Sequence, residues 1–515
     1  MLRTTRNLRR LLGIAAIMAS ENALFIFDEL RILPVLGFIG RYLPSGGRSK
    51  GERLAAALEK LGPTFIKLGQ ALSTRSDLIG DELAEALSRL RDKLPPFSSE
   101  IARKIIESEF SAPLSTLYAE FNDKPVAAAS IAQVHKAKTK DGRDVAVKIL
   151  RPDIEKAFAR DLDLFFWLAE IIERRLTDSK RFKPKQVVST FKETVFFELD
   201  LRFEAAAATE LANNIKKHER GFRVPSIDWN LTSQRVMTLE WIDGIPMNDI
   251  EAIRASGFSP DEILAKAARS LFSQVFVDGY FHADLHPGNL FIDKNGDIAA
   301  VDFGIMGRLD WDSRLYMAEI LRGFLTQDYR HVAEMHFKAG YVPAGKSLDA
   351  FTQACMAVAQ PIVGKPVNEI SVAHLLGQMF NIAAEFEMET QPQLLLLQKT
   401  MMVTEGVGRM LNPKLNMWEL TRPLVEEWAR EHFGLQAKLK DGVKDSALLA
   451  AKIPELLRHV DRAFARLANP EGIMLHPDSL RMMHDQRRTE RRQWLQLAWT
   501  ALMIISVMGL AQLFG

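Results

Sequence analysis

The 515-residue sequence predicts an α+β fold of two lobes, with a helical extension before it and a transmembrane helix after it. Three observations predict this. Val145-Ala-Val-Lys148-Ile-Leu150 is a short apolar strand carrying a lysine, and a strand–turn–strand pattern from Lys124 to Lys138 precedes it. Downstream, Asp284 is followed by Asn289, an apolar strand and Asp302-Phe-Gly304. Last, Trp494 to Phe514 is a run of 21 residues without an acid or base. At about 1.5 Å per residue it is long enough to cross a hydrocarbon core of about 30 Å.

The strand elements come first. Val126-Ala127-Ala128-Ala129-Ser130-Ile131-Ala132-Gln133-Val134 reads as a strand, a tight turn of small residues and a second strand, and Asp141-Gly142 makes the next turn. In a protein kinase-like N-lobe a glycine-rich loop lies here over the nucleotide phosphates, and the following strand brings its lysine to them. Residues 126 to 134 and Lys148 are therefore the candidate ATP-binding set. Alanines stand where glycines are expected. Alanine is small enough for close backbone approach, but its Cβ penalises positive φ, so the loop should be stiff and nucleotide selectivity altered. Arg235-Val-Met-Thr-Leu-Glu240-Trp-Ile-Asp-Gly244 is a strand running into a connector, with backbone groups around Leu239 to Ile242 as candidates for an adenine edge.

The downstream loop supplies the chemistry. Asp284 can accept a proton from an attacking hydroxyl or water and is the candidate catalytic residue beside Lys148. Asn289 offers a neutral amide oxygen and Asp302 an anionic one, a donor pair suited to Mg²⁺ bridging phosphates. Two departures from protein kinases stand out: Ala283 replaces the arginine before Asp284, and no Ala-Pro-Glu segment follows Gly304. A long activation loop is not expected.

Two further segments carry a resemblance. Phe65-Ile66-Lys67-Leu68-Gly69-Gln70-Ala71-Leu72-Ser73 contains Lys-x-Gly-Gln, and Phe197-Glu198-Leu199-Asp200-Leu-Arg-Phe-Glu204 contains Glu-x-Asp and a later glutamate. With the loops above, residues 60 to 310 resemble the UbiB-type atypical kinase-like family, whose mitochondrial relatives serve coenzyme Q biosynthesis. The resemblance implies that Lys67, Gly69 and Gln70 belong to a lid over the active site, and that Lys67, also a candidate catalytic residue, pairs with Glu198 or Asp200. It implies that Glu204 pairs with Lys148, and that ubiquinone biosynthesis is the pathway. Physics adds that Pro63 suits the first turn of a helix and that Gly69, costing a helix about 1 kcal/mol against alanine, marks a close approach. One helix is expected from about Gln186 to Lys217, around which Glu198, Asp200 and Glu204 cannot share a narrow face.

The expected organisation is an amphipathic membrane-proximal segment (1–40), a helical extension (41–122), an N-lobe (123–240), a C-lobe (241–430), C-terminal helices (431–492) and the transmembrane helix (494–514). Arg3, Arg6, Arg9 and Arg10 precede an apolar stretch and suit a helix lying on an anionic membrane. Arg487, Arg488, Arg491 and Arg492 precede the terminal run and place the catalytic domain on the cytoplasmic side of the inner membrane. Relatives often show two terminal segments; one convincing span is present here. The run from Leu394 to Val403 reads as core, with Met401, Met402 and Met410 suited to an adaptable pocket. A net charge of +2 gives no global field toward nucleic acid, and the single Cys355 permits no internal disulfide.

These readings lead to a membrane-associated atypical kinase or ATPase using ATP and Mg²⁺, with membrane lipids, polyprenyl-phenol intermediates and ubiquinone-biosynthesis enzymes as expected partners. Two alternatives stay open: a small-molecule or lipid kinase, and a nucleotide-sensing scaffold with little chemistry.

Overall fold

The computed structural model describes residues 2–26, 47–73, 79–88, 90, 94–175, 184–217, 221–360, 382–383, 385–388, 391–412, 423–424 and 428. These lie within the first of two compact units, Met1–Trp428; the second, Ala429–Gly515, is outside the described residues.

The extension is a helical layer of α1 (Leu2–Ser20), α2 (Lys50–Leu61), α3 (Pro63–Ser73) and α4 (Asp81–Ser88). A capping box starts α2: the Ser49 hydroxyl accepts from Glu52 N–H and the Glu52 carboxylate accepts from Ser49 N–H. Gly62, at φ 102°, ends α2, and Pro63 opens α3. Ile14, Met18, Leu54, Leu58, Phe65, Leu83, Leu87 and Leu90 form their shared core. Gly69 is explained by this packing. A Cβ there would lie 2.4 Å from Leu90 Cδ1 and 2.8 Å from Leu58 Cδ1, so its partner is the helical layer itself.

After α5 (Ser99–Phe110) and α6 (Leu114–Leu117) come β1 (Tyr118–Phe121), β2 (Ala127–Ala128), β3 (Ala132–Thr139) and β4 (Asp144–Leu150). The sheet thus begins at Tyr118, ahead of the boundary expected at 123. Next are α7 (Ile154–Arg175), α8 (Pro184–Glu198), α9 (Leu201–Lys216), β5 (Phe222–Arg223) and β6 (Val236–Glu240). The N-lobe sheet has the order β1-β3-β4-β6, with β2 paired to β3. Alternation decides where the lysine goes. Val145, Val147 and Ile149 pack against Ile105 and Ile106 of α5, whereas Ala146 and Leu150 pack on the opposite side with Phe158, Val195, Leu201 and Ala205. Lys148 has the parity of the second set and so points toward α9.

The single helix expected from Gln186 to Lys217 is instead two. Asp200 takes an extended conformation, caps α9 by accepting from Arg202 N–H, and separates it from α8. Leu201 N–H donates to Gln234 C=O, tying the break to the strand lead-in. The apolar periodicity runs through this point, which hid the capping aspartate.

The C-lobe follows with β7 (Gly244–Pro246), α10 (Ile250–Ala255), α11 (Pro260–Phe272), β8 (Tyr280–His282), β9 (Leu290–Asp293), β10 (Ile298–Ala300) and β11 (Met306–Arg308). Its sheets run β5-β10-β9-β7 and β11-β8 over a core containing Phe281, Leu290, Ile292, Ile298 and Phe303. Then α12 (Trp311–Leu325), α13 (Tyr329–Lys338) and α14 (Leu348–Ala359) build a separate helical core that includes Cys355. Burial pushes the Cys355 thiol up to about 12. The last described helix, α15 (Pro392–Leu411), returns to the C-lobe core with Leu397, Val407 and Leu411. Met401, Met402 and Met410 lie on its exposed side, away from the buried residues that join the C-lobe core.

The basic N-terminus is docked on the protein. Arg3 and Arg6 bond Asp163 at 2.8 and 2.6 Å, and Arg10 bonds Asp161 at 2.8 Å, both partners on α7. Three of the four arginines expected to face a membrane are therefore engaged internally, because α7 carries acids at matching spacing. Among the described residues no helix is long and apolar enough to cross a membrane, and the expected span 494–514 lies outside them.

Candidate active site

The strand lysine and the metal-ligand candidate meet between the lobes. Lys148 Nζ donates to Glu204 Oε1 at 2.6 Å and lies 3.4 Å from Asp302 Oδ1. Glu204 also accepts from Phe303 N–H, and Asp302 from Gly304 N–H. Burial alone would lower the Lys148 ammonium, but Asp302 and Glu204 outweigh it and hold it above the usual lysine range. Burial pushes Glu204 up to about 7, with Lys148 opposing and Asp302 adding to the rise. Burial also raises Asp302, yet Lys148, a hydrogen bond from Glu204, the Gly304 N–H and Lys67 together keep it well below the usual carboxylate range. The more solvent-open carboxylate, Asp302, is thus the stronger acid of the two, and the buried Glu204 the weaker.

His282 orders the downstream loop. Its Nδ1 accepts from Asp284 N–H, which leaves the Nε2 proton to donate to Asp302 C=O. Burial holds this imidazole below the ordinary histidine value, so it serves as a neutral strut between the two aspartate segments. Asn289 backbone C=O accepts from Val301 N–H at 3.1 Å, which ties the loop to the residue before Asp302. Asn289 and Asp302 fit Mg²⁺, an ion that takes one or two protein oxygens and completes its shell with water and phosphate. No cluster of three or more His, Cys, Asp or Glu that could hold a metal ion exists among the described residues.

The Lys-x-Gly-Gln helix reaches the same region. Lys67 Nζ lies 2.8 Å from Glu198 Oε2, with the two side chains only 13% and 15% exposed. Asp200 is the other candidate partner, but it is bound to the Arg202 guanidinium at 2.9 and 2.6 Å as the cap of α9. The helix break separates the two carboxylates. Gln70 is part-buried on α3, and Gly69 faces the helical layer, so neither residue joins Lys67 in that ion pair.

The alanine loop is a tight hairpin. Ala127 and Ala128 pair with Val134 and Gln133, and Ala129 N–H donates to Ala132 C=O at 2.8 Å around Ser130 and Ile131. No residue from Val126 to Val134 has positive φ, so the turn is built without the conformation glycine would supply. Arg151, which the sequence did not single out, clamps the loop by donating to Ala129 C=O and, across it, to Leu94 and Pro95 C=O. Gln133 is fully buried with its amide on Phe97 and His135, which removes its side chain from the candidate nucleotide contacts. Ser130 Oγ is buried without a hydrogen-bond partner among the described residues. In the connector, Glu240 N–H donates to Ser226 and Trp241 N–H to Asp144, so two donors expected for an adenine edge are committed to the fold.

One group was not anticipated at all. Lys399 of α15 donates to Asp284 Oδ1 at 2.9 Å. The sequence places it inside Leu394–Val403, where the apolar pattern reads as core, and the lone lysine was the only signal.

Residues 89–336 match the ABC1 atypical kinase-like domain and residues 355–416 the UbiB helical domain. A Marinobacter nauticus protein named "Probable protein kinase UbiB" is 40% identical over 478 residues, covering 92% of this chain and 86% of that protein. The chain belongs to the UbiB family of atypical kinase-like proteins. Another UbiB relative, from Aeromonas hydrophila, is 40% identical over 505 residues, covering 95% of this chain and 90% of its own. The solved complex of Rv3197 with erythromycin from Mycobacterium tuberculosis is 25% identical, with a TM-score of 0.47 over 71% of this chain and 93% of that one. Within the family's two matched regions, the loop carrying Asp284 falls in the kinase-like domain and Lys399 in the helical domain.

Proposed function

We propose that this UbiB-family chain is a membrane-associated ATP-dependent phosphotransferase or ATPase of atypical kinase type, and that it supports ubiquinone biosynthesis through ATP hydrolysis coupled to lipid intermediates or a biosynthetic complex. The observation that carries the reading is Lys148 held between Glu204 and Asp302, at 2.6 and 3.4 Å. A lysine fixed in this way would neutralise nucleotide phosphates, and Asp284, whose backbone N–H donates to His282, would orient a nucleophile. Asn289 and Asp302 would hold Mg²⁺, which when bound spreads the charge of the phosphate oxygens. The Lys67–Glu198 ion pair supports reading α3 as a lid over the surface where a protein kinase takes its peptide, a placement that would favour water or a small lipid acceptor over a protein. The apolar run 494–514 supports membrane attachment.

The test is phosphate release from Mg-ATP by the full-length protein, with and without anionic liposomes carrying a polyprenyl-phenol. Release that rises with the liposomes and vanishes in Asp302→Asn supports the proposal. Nucleotide binding without any release would replace it with the scaffold reading.

A further inference from the structure

The loop that carries Asp284 holds no cation of its own. From Phe281 to Leu290 there is neither lysine nor arginine, and Ala283 precedes the aspartate directly. His286 does not fill the role, because its Nδ1 accepts from Gly288 N–H and closes its own turn. An anionic carboxylate facing an anionic phosphoryl group without a compensating cation would repel it. Lys399 meets that need from a different part of the chain: its Nζ is 2.9 Å from Asp284 Oδ1, with the two side chains 36% and 34% exposed.

The placement of Lys399 is set by packing. Leu397, Thr400, Thr404, Val407 and Leu411 are buried along α15, and Leu394, Leu396 and Val403 pack against the C-lobe core. These contacts fix the rotation of the helix before any ion pair forms. Lys399 therefore emerges through an otherwise apolar surface at the point where Asp284 lies. As a partly exposed structural ion pair it would add little to stability, too little to account for a lysine at this position. An ammonium carries three donors, and the bond to Asp284 uses one of them.

We propose that Lys399, supplied by the helical domain, is a catalytic residue that stays bonded to Asp284 and holds an oxygen of the transferring phosphoryl group. The inference rests on the phosphoryl-transfer reading above. With water as nucleophile, its oxygen forms a bond to the γ-phosphorus as the bond to the β–γ bridging oxygen breaks. The electron pair leaves on ADP, and the water proton passes to the Asp284 carboxylate and on to solvent. Lys399 donates to an equatorial oxygen and offsets its charge, in addition to the charge offset by Lys148. The kinase-like domain is then incomplete without α15.

The test compares full-length wild type with Lys399→Met, Lys399→Arg, Asp284→Asn and the Lys399→Met/Asp284→Asn double variant. The readouts are phosphate release against Mg-ATP concentration and displacement of a fluorescent nucleotide. Lys399→Met, which keeps the apolar stem, should lose about 10²–10³-fold in kcat, the scale of one lost transition-state donor, while KM moves less than about threefold. Lys399→Arg should recover part of kcat, and the double variant should be scarcely slower than Asp284→Asn alone. An active wild type matched by Lys399→Met, or a loss confined to KM, overturns the role of Lys399 and leaves the phosphoryl-transfer reading standing. If Lys399→Met misfolds, the cycle is closed with Lys399→Arg and Lys399→Arg/Asp284→Asn instead: an arginine variant as slow as Asp284→Asn, with losses that multiply independently in the double variant, overturns it. A wild type that binds Mg-ATP and releases no phosphate overturns both.

Discussion

Lys67 and Lys148 have similar sequence settings yet different energetics. Lys148 sits between two carboxylates whose charges can rearrange by proton sharing, whereas Lys67 has Glu198 at 2.8 Å in a site where both side chains are mostly covered. Removing one member of such a pair leaves a desolvated charge, and the resulting cost is larger than the net worth of the pair. Lys67→Ala should therefore lower stability by about 1–3 kcal/mol, read as a drop in Tm. The Lys67→Met/Glu198→Gln double variant should regain most of it. A Tm unchanged in Lys67→Ala would show that the pair is not desolvated. The Lys-x-Gly-Gln pattern was legible in the sequence as a unit, but its residues do different things: Lys67 pairs with Glu198, and Gly69 serves the packing of α3 on α2 and α4.

The elements show how secondary structure aims side chains. Strand alternation in β4 turns Lys148 to the face where α9 lies, and the Asp200 cap starts α9 afresh so that Glu204, one turn in, meets it. A continuous helix would have kept all three carboxylates on one axis, and the sequence suggested that because the apolar positions do not pause at Leu199. The docking of α1 is likewise an element-level fact. Its arginines meet Asp161, only 2% exposed, and Asp163, 26% exposed. Exposed ion pairs contribute about 0.2–1 kcal/mol, and a buried carboxylate matters more. Asp161→Asn should thus speed amide hydrogen exchange in residues 2–20 more than Asp163→Asn does. Equal exchange in the two variants would mean that the apolar face of Ile14 and Met18 alone holds the helix.

For the molecule as a whole, pH acts through buried imidazoles. Burial holds His135, His282 and His336 below the ordinary histidine value, whereas the unfolded chain takes up protons near pH 6.5. The unfolded state then binds more protons below about pH 6.5, so stability is full above that pH and falls as pH drops through it. Glu204, raised to about 7, acts in the opposite sense: its contribution is full below the unfolded glutamate value and is lost as pH rises toward 7. Three groups against one predict a stability, read as Tm, that falls between pH 7.5 and 5.5, the unfolding free energy dropping by up to about 1.4 kcal/mol per pH unit for each imidazole. His336→Asn keeps the donor to Val332 C=O and should flatten the curve. A Tm that rises on acidification would mean that Glu204 outweighs the three imidazoles.

The amino-acid sequence by itself determined the strand lysine, the Asp284–Asn289 loop, Asp302 and the family, because each depends on residues close together in the chain and on spacing that local geometry enforces. Tertiary structure alone decided that Glu198 and not Asp200 meets Lys67, that Arg151 clamps the alanine hairpin, that Gln133 faces Phe97, and that Lys399 reaches Asp284. Each of these is a contact or a capping choice that apolar periodicity does not encode. A lysine 115 residues beyond its aspartate carries no local signature; it is brought there by the burial of Leu397, Val407 and Leu411 against the C-lobe core.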